Sequence, residues 1–377
     1  MANQSDRQFF DVIPQARGTD TESIATPESG ICGDPTPPGV DLGPIAPLQG
    51  TWTGKGTGWN MIALPFKDAP PPPAAFNYRL LMNQYDEELI FDFVDDGVIN
   101  RGLLRGANTE FDQRVATLDY QQKIAQVVAE DQPDSGGAAG GPGLPIHHEP
   151  GLWQYMKNLR TSDVDGEIEV ARLASIPHGN AILALGSAKI GTGKPAIPRV
   201  GGLPIGRFED LSHPAYDFRE ELANPAGDPY LAPYKHYIDN PFMGNVSAPG
   251  FPGFHPANMN AILNFANDAF EAAGGSFGKL TTLTVDTERM AGGISNAPFT
   301  SREAEPVSMR SVFWISEVVN PDGTHGMRLQ YSQIVMMHFF GREDQNPGRA
   351  SWPHISIATL EKVPSAYRAR VSEPQKY

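Results

Sequence analysis

Cysteine is nearly absent: Cys32 stands alone among 377 residues, which excludes an internal disulfide and any thiolate cluster for zinc or iron–sulfur chemistry. A reducing compartment fits that usage, and the expected location is cytoplasmic. Cationic charge is also scarce. Lys and Arg number 29 against 44 Asp and Glu, a net charge of −15, which repels nucleic-acid phosphates and the anionic face of a membrane. No run of roughly eighteen apolar residues is present for a membrane-spanning helix, and residues 1–18 place Asp6, Arg7, Asp11 and Arg17 where a signal peptide needs an apolar core. The chain has no Gly-x-Ser-x-Gly elbow, and Gly191-Thr192-Gly193-Lys194 lacks the spacing and the following helix of a phosphate loop.

What the chain does have is turn-formers and short apolar runs. With 39 Gly and 35 Pro among 40% apolar residues, it favours short strands and ordered loops over long helices. Residues 1–40 read as a polar extended arm and 364–377 as a tail, with one domain over 41–363. Pro70–Pro73 is a stiff extended connection. Strand patterns occupy 50–59, 76–83, 88–94, 113–128 (bent or broken in two), 153–156, 167–175, 180–190, 279–287, 311–319, 328–339 and 354–363. Asn320-Pro321-Asp322-Gly323 joins two of them as a hairpin.

Between about 191 and 277 the strand pattern fails, and the one regular element is a helix near Met259–Phe270 that ends at Gly274 and Gly275. This segment reads as an insertion that the flanking strands do not need, so a short linker is expected to replace it. The fold class expected is all-β, an antiparallel up-and-down barrel of about ten strands with a long, mostly irregular insertion.

The run Leu42 to Gly58, LGPIAPLQGTWTGKGTG, resembles the opening of the nitrobindin-like haem-binding barrels, distant relatives of the fatty-acid-binding proteins. Tyr120-Gln121-Gln122, His147-His148-Glu149-Pro150-Gly151-Leu152-Trp153, Glu167 to Ala174, Met327 to Gln333 and Pro353 to Leu360 are similar to further family motifs in the same order. The resemblance covers about residues 42–186 and 279–363. It implies a barrel whose end is plugged by Trp52, a haem b cofactor, and His354 as axial ligand of the iron, with an apolar distal pocket. Nitric oxide binding, peroxynitrite isomerisation or weak peroxidase activity would follow.

His354 shares a strand face with Ser356, Ala358 and Leu360, a small set that leaves room for a flat macrocycle, and it is placed at the start of a strand after Pro353. The other cofactor-binding candidates are His147, His148 and His178. The first two are adjacent on a strand and point to opposite faces, so one of them faces the pocket while Glu149 stays outside near Arg172. His178 lies in the turn Ile176 to Asn180, facing solvent or overhanging the barrel mouth, and His338 alternates with Met336 and Ile334. Two other readings stand beside haem: a haem-free carrier for a fatty-acid-like apolar metabolite, and an enzyme for a specialised metabolite held by the insertion. The pattern identifies no self-association face.

Overall fold

A computed structural model describes residues 39–65, 78–103, 110–157, 168–176, 178–204, 231–289, 292–299, 304–341 and 349–364. The N-terminal arm to 38, the proline run and the tail from 365 lie outside the described residues. A 3-10 helix, Gly43–Leu48, precedes β1 (Gly50–Pro65), β2 (Tyr78–Leu103), β3 (Glu110–Gln132), β4 (Pro145–Met156), β5 (Val170–Ile176) and β6 (Asn180–Thr192). Helices α1 (Ala232–Asp239) and α2 (Ala261–Ala272) follow, then β7 (Ser276–Asp286), β8 (Gly293–Asn296), β9 (Glu305–Val319), β10 (His325–Gly341) and β11 (Arg349–Lys362).

The strand order is β5-β4-β3-β2-β1-β11-β10-β9-β7-β6, and β5 also pairs with β6, so ten antiparallel strands close into a barrel with β8 added alongside β6. Closure leaves those ten strands without a free edge. The described part of the run at 76–83, from Tyr78, and the run at 88–94 prove to be parts of one strand, β2, with shifts of register between Gln84 and Tyr85 and again near Asp95. Its continuity was hidden because Gln84, Asp86 and Glu87 interrupt the apolar alternation. β4 also begins earlier than its apolar pattern, at Pro145.

One end of the barrel is plugged. Ile45 and Leu48 of the 3-10 helix are buried with Trp52, whose indole Nε1 donates to Leu48 O at 2.7 Å. Lys362 Nζ lies 5.3 Å from the Trp52 ring centroid, a cation over an aromatic face. The opposite end collects the start of β2, the turn from β3 to β4, the turn from β5 to β6 and the early part of β11.

The outer wall explains the insertion. Trp59, Met61 and Ala63 of β1, Leu80 and Met82 of β2, and Ile355 and Ile357 of β11 form a second apolar cluster, separate from the one inside the barrel. Leu231, Tyr234, Tyr237, Phe242, Phe254, Ile262 and Leu263 from the stretch between β6 and β7 belong to that same cluster. α2 turns its apolar side to the sheet, and Gln330 Nε2 of β10 donates to Leu263 O at 3.1 Å. These strands are therefore apolar on both faces, and the described part of the insertion is their lid against water.

β6 and β7 pair directly across the insertion, from Leu185↔Asp286 to Thr192↔Lys279. Even so, replacing residues 193–275 by a Gly/Ser linker should give an insoluble or non-cooperative chain, because the wall around Trp59 loses its cover. This replaces the expectation that a linker would serve. Urea denaturation followed by fluorescence checks it, a soluble variant with a single transition being the contrary result. Trp59→Ala in the full chain should cost about 3–5 kcal/mol in the same assay.

Candidate functional site

The barrel interior is built by side chains alternating inward, and it holds charge. Glu149 of β4 is fully buried, and Arg172 of β5 is 2% exposed. Arg172 Nη2 donates to Glu149 Oε1 at 2.6 Å, Nε to Tyr120 Oη at 2.9 Å, and Nη1 to Gln333 Oε1 at 2.7 Å and Ser311 Oγ at 3.4 Å. Its guanidinium carbon also lies 5.3 Å from the Tyr120 ring centroid and 5.6 Å from that of Phe313. Tyr120 donates to Glu149 as well. The expectation that Glu149 stays outside the barrel is thus corrected. A lone carboxylate would be expelled from such a place, whereas one bonded to a guanidinium and a phenol can be retained.

Burial raises the pKa of Glu149, but the Arg172 charge and the bonds from His147 and Tyr120 outweigh it and bring the carboxyl down to about 2. Gly151 makes this arrangement possible. A Cβ there would lie 2.1 Å from Leu173 O and 2.6 Å from the Tyr120 ring, so the Glu-x-Gly spacing clears the floor on which Tyr120 rests.

Deeper along β2 lies a second carboxyl. Glu87 is 3% exposed; Gln122 Nε2 donates to its Oε1 at 2.6 Å and Tyr331 Oη donates to its Oε2 at 2.8 Å. Tyr85 Oη is 2.8 Å from Tyr331 Oη. Burial pushes Glu87 up to about 7, opposed by those two hydrogen bonds and the more distant His147 and Arg172 charges. The sequence offered no signal for it beyond a polar residue at an inward position.

Three of the four histidine candidates meet at the end opposite Trp52. His354 faces the interior, its Nε2 2.8 Å from Asn60 Nδ2 of β1. Desolvation, helped by the nearby His147 and His178 charges, pushes it down to about 3, so the ring is neutral at physiological pH. His147 Nε2 lies 3.2 Å from Glu149 Oε2, and its ring centroid is 5.5 Å from that of His178 in the exposed β5–β6 turn. Partial burial, with the His147 charge, lowers the pKa of His178 too.

His148 is exposed on the outer side and does not join them. His338 bonds Ser351 Oγ through Nε2 at 2.7 Å. His354 also stands further into its strand than the sequence suggested: β11 begins at Arg349, with Pro353 opposite Met336 of β10. Pairing with β1 stops at Ile355, short of the proline.

No protein-family model matches the chain, and no curated protein does. Among solved structures it is similar to the crystal structure of Rv2717c from M. tuberculosis, at 13% identity and a TM-score of 0.32, over 86% of this chain and 99% of that one. A likeness this loose transfers neither a residue role nor an activity. Among the described residues, no group of three or more His, Cys, Asp or Glu could hold a bare metal ion, and no helix is long and apolar enough to cross a membrane.

The two carboxyls pull stability in opposite directions. Glu149 has a depressed folded pKa, so its stabilisation is present above about 4.5 and is lost as pH falls toward about 2. Glu87 has a raised one, so the unfolded chain gives up its proton first and stability falls as pH rises from about 4.5 to about 7, by up to about 3 kcal/mol. Glu87→Gln should flatten that segment of the urea-denaturation profile. Glu149→Gln, which leaves Arg172 without its counter-charge, should cost about 3–5 kcal/mol at neutral pH.

Proposed function

We propose that this end of the barrel binds haem b through His354. The observation that carries this reading is an imidazole that faces the interior, bonded to Asn60, at the end where His147 and His178 converge. A haem iron takes a neutral imidazole as its axial ligand, tuned by what surrounds it. The residues present fit that demand. The Nε2 of His354 is bonded to a neutral amide at 2.8 Å, so it would exchange Asn60 for the metal without breaking an ion pair. Haem bound there would supply an iron centre able to take nitric oxide or peroxynitrite. The requirement for a single histidine is also compatible with the absence of a bare-ion cluster among the described residues.

The chain's own groups define the rest of the site. Below the histidines a buried ion pair, Glu149 with Arg172, lies among the apolar side chains of the interior. His147 is the imidazole within reach of a ligand-borne proton, held by a carboxylate that stays ionised. Polar side chains reaching that end include Asn60 and Gln333.

A fatty-acid carrier is the weaker reading. Such a ligand needs a buried cation for its carboxylate, and Arg172 already spends its donors on Glu149, Tyr120, Gln333 and Ser311.

Titration of the purified protein with haemin should produce a Soret band, and His354→Gly should lose it while keeping the β-sheet circular-dichroism signature. Added imidazole should restore the band in that variant. Unchanged haem affinity and spectrum in His354→Gly would rule His354 out as the ligand.

A further inference from the structure

Two Tyr–Glu pairs share the barrel interior, and their electrostatics are opposite. Tyr120 donates to Glu149, which also accepts from Arg172. A carboxylate so paired is a poor proton acceptor, and its pKa of about 2 agrees. Tyr331 donates to Glu87, whose hydrogen-bond partners are neutral: Gln122 and Tyr331 itself. Arg172 and His147 act on Glu87 only through space. With no cation bonded to it among the described residues, that carboxylate can take a proton near neutral pH.

The Tyr331 oxygen is also framed for a change of charge. It donates to Glu87, accepts from Gln122 Nε2 at 3.3 Å, and lies 2.8 Å from Tyr85 Oη. Phe313 stacks on its ring with centroids 5.3 Å apart. Simple ionisation is closed to it, because burial and the Glu87 charge raise its pKa well above 10. Removal of an electron makes a phenol strongly acidic, and a base already bonded to the hydroxyl then receives the proton.

We propose that Tyr331, hydrogen-bonded to Glu87, is a redox-active tyrosine that passes one electron to an oxidant formed at the barrel mouth. With a haem oxidised by a hydroperoxide as acceptor, the phenol would give up one electron as its O–H bond breaks and its proton moves to Glu87 Oε2. A neutral phenoxyl and a neutral carboxylic acid result; an external one-electron donor reverses the step. The pair goes from −1 to neutral, so no cation is left on the buried phenol. The distance also suits it. Tyr331 pairs with Ala358 of β11, and His354 is four residues further along that strand, about 13 Å at the usual rise. The source of the oxidant rests on the haem reading; the Tyr331–Glu87 pair does not.

The haem-free protein, photo-oxidised by a flash-quenched ruthenium complex and frozen for electron paramagnetic resonance, should give a tyrosyl signal that narrows with ring-deuterated tyrosine. Its yield should fall about tenfold in Tyr331→Phe and its formation should slow about tenfold in Glu87→Gln. A signal indifferent to Tyr331→Phe, or to Glu87→Gln, would overturn the proposal. Haem-loaded protein treated with hydrogen peroxide should give the same Tyr331-dependent signal. If no Soret band forms, the haem reading fails and the photo-oxidation result still decides the pair. If haem binds and peroxide yields no Tyr331-dependent radical, the coupling to the mouth is refuted.

Discussion

A single arginine sets the chemistry of the barrel interior. Arg172 cannot lose its charge, so burying it obliges the interior to supply an anion and enough acceptors for its guanidinium. Glu149, Tyr120, Gln333 and Ser311 do so from β4, β3, β10 and β9. One ion pair with its hydrogen bonds thus ties opposite walls together. Because it fixes Glu149 as an anion, it also holds His147 at the mouth and leaves Glu87 without a bonded cation among the described residues. The contrast between a carboxylate locked in charge and one poised near neutrality follows from where that guanidinium points.

The walls divide the labour by face. Inside β1, Trp52 closes one end and Asn60 bonds His354 near the other. Outside it, Trp59 and Met61 join the cluster that the insertion completes. A barrel with one wet outer wall would show polar alternation in every strand. In β1, β2 and β11 that alternation is lost, which is why their hydrophobicity exceeds what a small barrel needs. Leu203, Leu231, Tyr234, Phe254 and Ile262 of the insertion belong to this outer wall.

Much of the scaffold was legible because it repeats a local rule. The period-two runs from β5 onward, the Asn320–Gly323 turn and the helix near Met259–Phe270 all follow from spacing that neighbours impose on one another. Ordered motifs pointed to His354 and to the His147–Gly151 segment. The 3-10 helix, α1 and β8 escaped notice, since they are short and their order depends on what they pack against. Glu87 was invisible for a different reason: in sequence it is one more acidic residue in Asp86-Glu87-Glu88, and its inward place shows only when β2 runs unbroken with Tyr85, Leu89 and Phe91 on the same face.

The sequence by itself determined an antiparallel all-β barrel, its strand order along most of the chain, and the histidines worth following, because alternation and turn chemistry act between residues close in the chain. Tertiary structure decided which charges share the interior. Arg172 and Gln333 are 161 residues apart, and Tyr331 and Glu87 are 244 apart. Contacts of that separation depend on closure and on register, and a one-residue slip would send each side chain to the opposite face.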